Sequence, residues 1–202
     1  DNLFLASIVA LDADTGKYVW HYQQTPREAW DFKATNDIIL ADLKIDGEQR
    51  PVLMQASVNG FFYVLDRRDG KLLSAEKFGK VTWADHVDLK TGRPTEIANA
   101  RYENGPVTFY PSQLGVHNWQ AMSFNPALGI AFIPTLKLPA TYWTTPDKAT
   151  EAEKFVLGAK HYEFALGSRF KLAKLEPDDG TGGLLAWDPV AGKPRWEVRY
   201  KT

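Results

Sequence analysis

Three short segments carry the polar side chains with which this chain could do chemistry. They are Thr25-Pro-Arg-Glu-Ala-Trp-Asp31, Asn59-Gly-Phe-Phe-Tyr-Val-Leu-Asp-Arg67 and Leu114-Gly-Val-His-Asn-Trp119. A carboxylate such as that of Asp31 can take a proton from a substrate or bind a hard cation such as calcium. Considered alone, such an Asp is more often an exposed loop residue, so its role depends on what surrounds it.

The composition excludes several other kinds of site. The chain has no cysteine, which excludes disulfides, thiolate metal sites and a covalently attached haem within it. Its four histidines show no ligand spacing such as i, i+4, so we expect no zinc site. Lys and Arg are scattered along the chain and the net charge is −1, which predicts no nucleic-acid partner.

The elements that must position these segments are short strands joined by a recurring turn. The copies are Ala10–Trp20, Val64–Ser74 and Ala186–Trp196. Each begins with an apolar strand end, continues into a turn that starts at Asp and closes on Gly-Lys, and then enters a new strand. The second copy departs from the others because Ser74 stands where they have Trp.

Turn signals about every ten residues predict an all-β protein. The strands that we predict are Leu3–Leu11, Tyr18–Tyr22, Ile38–Leu43, Arg50–Ala56, Phe61–Leu65, Val107–Phe109, Ala121–Phe124, Ile130–Pro134, Leu184–Trp187 and Arg195–Tyr200. Blades of four such strands would make the chain roughly four blades of a β-propeller, so we expect a fragment of a larger ring. A helix is expected only at Thr150–Leu157, inside a long loop insertion at 134–180.

The repeat Ala-x-Asp-x-x-x-Gly-Lys-x-x-Trp resembles the tryptophan-docking motif of quinoprotein alcohol dehydrogenases. The order and separations of the three polar segments are similar to those of the methanol/ethanol dehydrogenase branch, over essentially the whole chain. This resemblance implies that residues 1–202 are part of an eight-bladed propeller that holds pyrroloquinoline quinone (PQQ) and a metal ion near its axis. The remaining blades would then lie outside this chain.

The same resemblance implies roles for individual residues. Asp31 would be the catalytic base and would also touch the metal, and Asn118 would contact the quinone. PQQ takes a hydride from a primary alcohol while the base takes the hydroxyl proton, and a divalent cation polarises the quinone carbonyl. The resemblance further implies a periplasmic enzyme that passes electrons to a cytochrome c or a quinone.

Two positions depart from the family pattern. Val58 stands where the family has a Lys or Arg that contacts the cofactor, and Lys33 stands where the lanthanide-using branch has an extra Asp ligand. A cation at that position would repel a metal, so Ca²⁺ is expected rather than a lanthanide. We hypothesise that Lys33 is cofactor-binding and supplies the charge lost at Val58, from the strand face that it would share with Asp31. Alternatively, Lys33 is solvated and the site is weakened or lost.

Two other interpretations remain open from the sequence. The repeats alone fit a non-catalytic propeller that acts as a protein-binding scaffold. A degenerate member of the family, folded but unable to bind cofactor, would account for Val58 and Lys33. The scaffold interpretation does not explain why Trp30-Asp31 and His117-Asn118 occur in the order that the family has.

Overall fold

The structure, a computed structural model, describes residues 2–144 and 168–200. These residues form β-strands and no helix, and none of them builds a helix long and apolar enough to cross a membrane. The strands are β1 (Ser7–Leu11), β2 (Tyr18–Gln23), β3 (Ile39–Ile45), β4 (Glu48–Ala56), β5 (Phe61–Asp66), β6 (Leu72–Lys77), β7 (Ala84–Asp88), β8 (Arg93–Glu96), β9 (Val107–Phe109), β10 (Ser123–Asn125), β11 (Ile130–Lys137), β12 (Ala140–Thr144), β13 (Ser168–Leu172), β14 (Thr181–Asp188) and β15 (Lys193–Arg199). The all-β prediction is confirmed, and the helix expected at Thr150–Leu157 lies outside the described residues.

The strands pair antiparallel in five sheets within the described ranges. Two sheets have four strands, in the orders β3-β4-β5-β6 and β10-β11-β14-β15, which is the blade arrangement of a propeller. The others are β1-β2, β7-β8 and the three-stranded β13-β12-β9. The described residues thus contain two complete blades and three smaller sheets, and the number of about four blades stays a prediction.

At its described ends, residues 134–144 and 168–180, the predicted loop insertion contains strands where the sequence predicts few. β11 continues to Lys137, and β12 then pairs with β9, so that Tyr142 lies opposite Val107. β13 adds to the other edge of β12. The described ends of the insertion between β11 and β14 therefore join β9 in one three-stranded sheet.

The recurring turn fastens one sheet to the next. The Trp20 ring lies across the turn between β5 and β6, and its Nε1–H donates to the carbonyl of Arg67 at 3.2 Å. A Cβ atom added to Gly70 would lie 2.6 Å from that ring. Only glycine therefore fits beneath the indole, and the sequence motif is explained by packing.

The second repeat contacts the next turn of this kind through a different residue. Ser74 leaves the position of the docking Trp unfilled, and the turn at Gly192 is covered instead by Glu76. A Cβ added to Gly192 would lie 2.8 Å from Cγ of Glu76. The aliphatic part of a glutamate, two residues further along the strand, thus occupies the place of an indole.

Candidate active site

Asp31 lies in an irregular loop between β2 and β3. Its backbone has φ +66°, a left-handed conformation that is uncommon for residues other than glycine. Its carboxylate oxygen Oδ2 lies 3.2 Å from Nζ of Lys33, and both side chains are about half exposed. The expected strand face for these two residues is wrong, because no strand covers them; the ion pair forms across a bend instead.

The two neighbours of Asp31 point into the core. Trp30 and Phe32 are each 1% exposed and stack on one another with ring centroids 5.6 Å apart. Both also pack against the buried ring of Trp83, at 5.0 and 5.5 Å. Since both neighbours are anchored inward, the side chain of Asp31 is left at the surface of the loop.

Buried amide side chains fix the beginning of this loop. Asn59, from the turn between β4 and β5, donates through Nδ2 to Oγ1 of Thr25 at 3.1 Å and to the hydroxyl of Tyr63 at 2.9 Å. The hydroxyl of Ser57 donates to Oε1 of Gln24 at 2.9 Å. These groups are fully buried, so the network rigidifies the start of the loop.

Gln55 fixes the end of the same loop. Its Nε2 donates to the carbonyls of Asn36 at 2.7 Å and Ala34 at 3.2 Å. Its Oε1 accepts a hydrogen bond of 2.7 Å from Nε2 of Gln24. One buried side chain on β4 therefore joins both ends of the loop that carries Asp31.

The segment that follows β8 holds the middle of the loop. The guanidinium of Arg101 donates to the carbonyls of Pro26 and Arg27 and lies 4.7 Å above the ring of Trp30. The hydroxyl of Tyr102 donates to the carbonyl of Ala29 at 2.6 Å. The loop is thus fixed from β4 and from the segment after β8, although the sequence predicted none of these contacts.

The segment with His117 and Asn118 packs against the far end of the Asp31 loop. Asn36 donates through Nδ2 to the carbonyl of Asn118 at 2.8 Å, and Oδ2 of Asp37 accepts from the backbone N–H of Met122 at 3.2 Å. The Asn118 amide donates to the carbonyl of Leu114 at 2.9 Å. The structure therefore brings together two of the segments that the sequence singled out.

A cavity of about 370 Å³ lies beside Asn118. Its walls include His117, Trp119, Thr135 and Tyr200. The Trp119 ring is 81% exposed, while Nε2 of His117 and Oγ1 of Thr135 are buried without a hydrogen-bond partner among the described residues. Burial lowers the pKa of His117, whose Nδ1 lies 2.8 Å from the carbonyl of Pro134.

The cavity lining fits a planar polar cofactor, and Asp31, which does not line the cavity, fits a hard cation. Trp119 offers an exposed flat ring, and the cavity beside Asn118 holds unsatisfied polar atoms. Asp31 offers an exposed carboxylate, which is the kind of oxygen ligand that calcium prefers.

Val58 contributes no charge to this region. It is 1% exposed, and its carbonyl accepts a hydrogen bond of 3.4 Å from the N–H of Val116. A Cβ added to Gly115 would lie 2.8 Å from Cγ1 of Val58. The valine therefore packs beneath the Asn118 segment as an apolar support, and Lys33 is the cation that the structure places beside Asp31.

The chain is similar to known quinoprotein dehydrogenases along its whole length. Residues 1–96 match the family model described as PQQ: glucose/ethanol/alcohol dehydrogenase, beta-propeller domain. All of the chain aligns at 53% identity with the quinohemoprotein alcohol dehydrogenase ADH IIB of Pseudomonas putida, of which it covers 28%. The chain thus spans less than a third of this curated relative.

Solved structures give the same result. Quinohemoprotein alcohol dehydrogenase ADHIIG from Pseudomonas putida superimposes with a TM-score of 0.84 at 43% identity, over 99% of this chain and 30% of that one. A europium-containing methanol dehydrogenase superimposes with a TM-score of 0.81 at 29% identity, over 97% of this chain and 33% of that one. The sequence motifs, the blade arrangement and these relatives agree, and the chain is similar to a segment of the β-propeller domain of quinoprotein alcohol dehydrogenases.

Proposed function

We propose that the protein containing this segment oxidises a primary alcohol to an aldehyde with PQQ as its cofactor. The observation that carries the proposal is the fixed loop that presents Asp31 at the surface and contacts the segment of Asn118 through Asn36. A scaffold propeller would not require an exposed carboxylate held in a left-handed conformation by buried polar contacts.

Asp31 is the proposed general base. PQQ, when bound, supplies the acceptor for the hydride that leaves the alcohol carbon. The carboxylate of Asp31 would take the hydroxyl proton, and it would also be a ligand of the metal. Asn118 would hold the quinone by its amide.

Calcium is the proposed metal. Nζ of Lys33 lies 3.2 Å from Oδ2 of Asp31, where a lanthanide would require a further anionic ligand. The europium-containing methanol dehydrogenase makes a lanthanide the alternative to be tested. We further propose a periplasmic location and electron transfer to a cytochrome c or a quinone, in keeping with the family.

Reconstitution of the full-length protein with PQQ and Ca²⁺ tests this function. We expect dye reduction with primary alcohols and little or none with Ca²⁺ replaced by La³⁺. PQQ binding without turnover would favour a degenerate family member. A folded protein that fails to bind PQQ would favour the scaffold interpretation.

Lys33 is proposed to bind PQQ in place of the cation missing at Val58. Replacing Lys33 with Ala should raise the Kd for PQQ about fivefold, since an exposed charge contact contributes about 1 kcal/mol. Lys33→Arg should keep the Kd close to that of the unsubstituted protein, and Lys44→Ala, which removes an exposed lysine from β3, is the matched control. A Kd unchanged by Lys33→Ala in a fluorescence titration would contradict this role.

A further inference from the structure

We propose that Glu28 is a positioning residue for Asp31, an inference that rests on the proposed function. One oxygen of Glu28, Oε1, accepts hydrogen bonds from the backbone N–H of Trp30 at 2.6 Å and of Phe32 at 2.8 Å. These are the residues on either side of Asp31. A single oxygen of Glu28 therefore binds the backbone on both sides of Asp31.

This arrangement explains how Asp31 keeps its unusual backbone conformation. A residue with a Cβ at φ +66° is strained and persists only where its surroundings determine it. Successive N–H groups that converge on one anion form the concave backbone arrangement that such a left-handed residue allows. Without an acceptor at Oε1, the peptide groups on both sides of Asp31 would be free to rotate toward a relaxed conformation.

The position of Glu28 is itself fixed. Arg101 donates to the carbonyls of Pro26 and Arg27, directly before Glu28, and Tyr102 donates to that of Ala29, directly after it. Glu28 is partly buried, and burial together with the nearby charge of Asp31 raises its pKa, although backbone hydrogen bonds from Phe32, Trp30 and Asp31 act in the opposite direction. Because Arg101 and Tyr102 fix the backbone on both sides of Glu28, the acceptor oxygen of Glu28 has a fixed position, and it limits the motion of the backbone that carries Asp31.

Two substitutions separate this role from mere stabilisation. In the full-length protein with PQQ and Ca²⁺, Glu28→Ala should lower kcat about tenfold while KM and the Kd for PQQ change less than twofold. Glu28→Gln retains an acceptor oxygen and should recover kcat to within about threefold of the unsubstituted value. Glu48→Ala, at an exposed glutamate of β4, should leave all three quantities unchanged.

Hydrogen exchange of the loop gives a readout that does not depend on turnover. We expect faster exchange of the Trp30 and Phe32 amides in Glu28→Ala but not in Glu28→Gln. Unchanged exchange in Glu28→Ala would overturn the inference whether or not the enzyme is active. Unchanged kcat in Glu28→Ala, with Asp31→Ala inactive, would overturn the inference alone, whereas absence of turnover in the unsubstituted protein would overturn the proposed function.

Discussion

Replacing Asp31 with Ala or Asn should lower kcat for a primary alcohol by about 10³-fold in the full-length protein loaded with PQQ and Ca²⁺. General base catalysis contributes roughly 10² to 10⁴ in rate, and neither substitute can accept the proton. The side chain of Asp31 is half exposed and lies in no strand, so the fold should persist. Steady-state kinetics together with the thermal midpoint Tm would measure both expectations.

Asp46 offers a matched control for the backbone strain at Asp31. It is also an exposed aspartate with a left-handed backbone, at φ +52°, in the turn between β3 and β4. Asp46→Ala should therefore change Tm about as much as Asp31→Ala does and should leave kcat unchanged. Retention of more than about a tenth of the activity in Asp31→Ala would contradict the assignment of the base.

The strands that the sequence predicts are those with continuous apolar or aromatic patterns. β5 is buried at all six positions and β9 matches its predicted bounds, Val107–Phe109. β7 and β8 were missed because they contain Asp, Glu or Pro, which have low intrinsic preference for strands. Their pairing partners, rather than their own residues, make them strands.

The candidate site also has parts that the sequence could predict and parts that it could not. The segments of Asp31 and Asn118 could be found from their residues, and the structure places them against each other through Asn36. Gln55 could also have been noticed, because a glutamine within the apolar run of β4 indicates a buried hydrogen-bonding role.

Other parts of the site could not be predicted from the sequence. Arg101 reaches the loop from more than 70 positions away in the chain. Glu28 can bind the amides on both sides of Asp31 only because the backbone bends at that left-handed residue. The ion pair between Asp31 and Lys33 depends on the same bend rather than on strand alternation.

Replacing Gly70 with Ala should destabilise the protein by about 3 kcal/mol. The left-handed backbone at φ +75° would cost about 1 kcal/mol in any residue with a Cβ. The added methyl group would also lie 2.6 Å from the ring of Trp20, and relieving such overpacking costs about 1–3 kcal/mol. A lower Tm in thermal unfolding, with the shift calibrated by denaturant titration, would measure the loss.

Gly47→Ala separates the two contributions to this loss. Gly47 lies in a turn of the same four-stranded sheet at φ +85°, but apart from its chain neighbours no heavy atom of the described residues lies within 4 Å of the Cβ that alanine would add. Gly47→Ala should therefore lower the free energy of unfolding only by the backbone contribution of about 1 kcal/mol. If Gly70→Ala and Gly47→Ala lowered the stability equally, the contact between Trp20 and Gly70 would not be what fastens the first sheet to the second. The recurring motif would then reflect the turn conformation alone, and the substitution of Trp by Ser74 in the second repeat would need no compensation by Glu76.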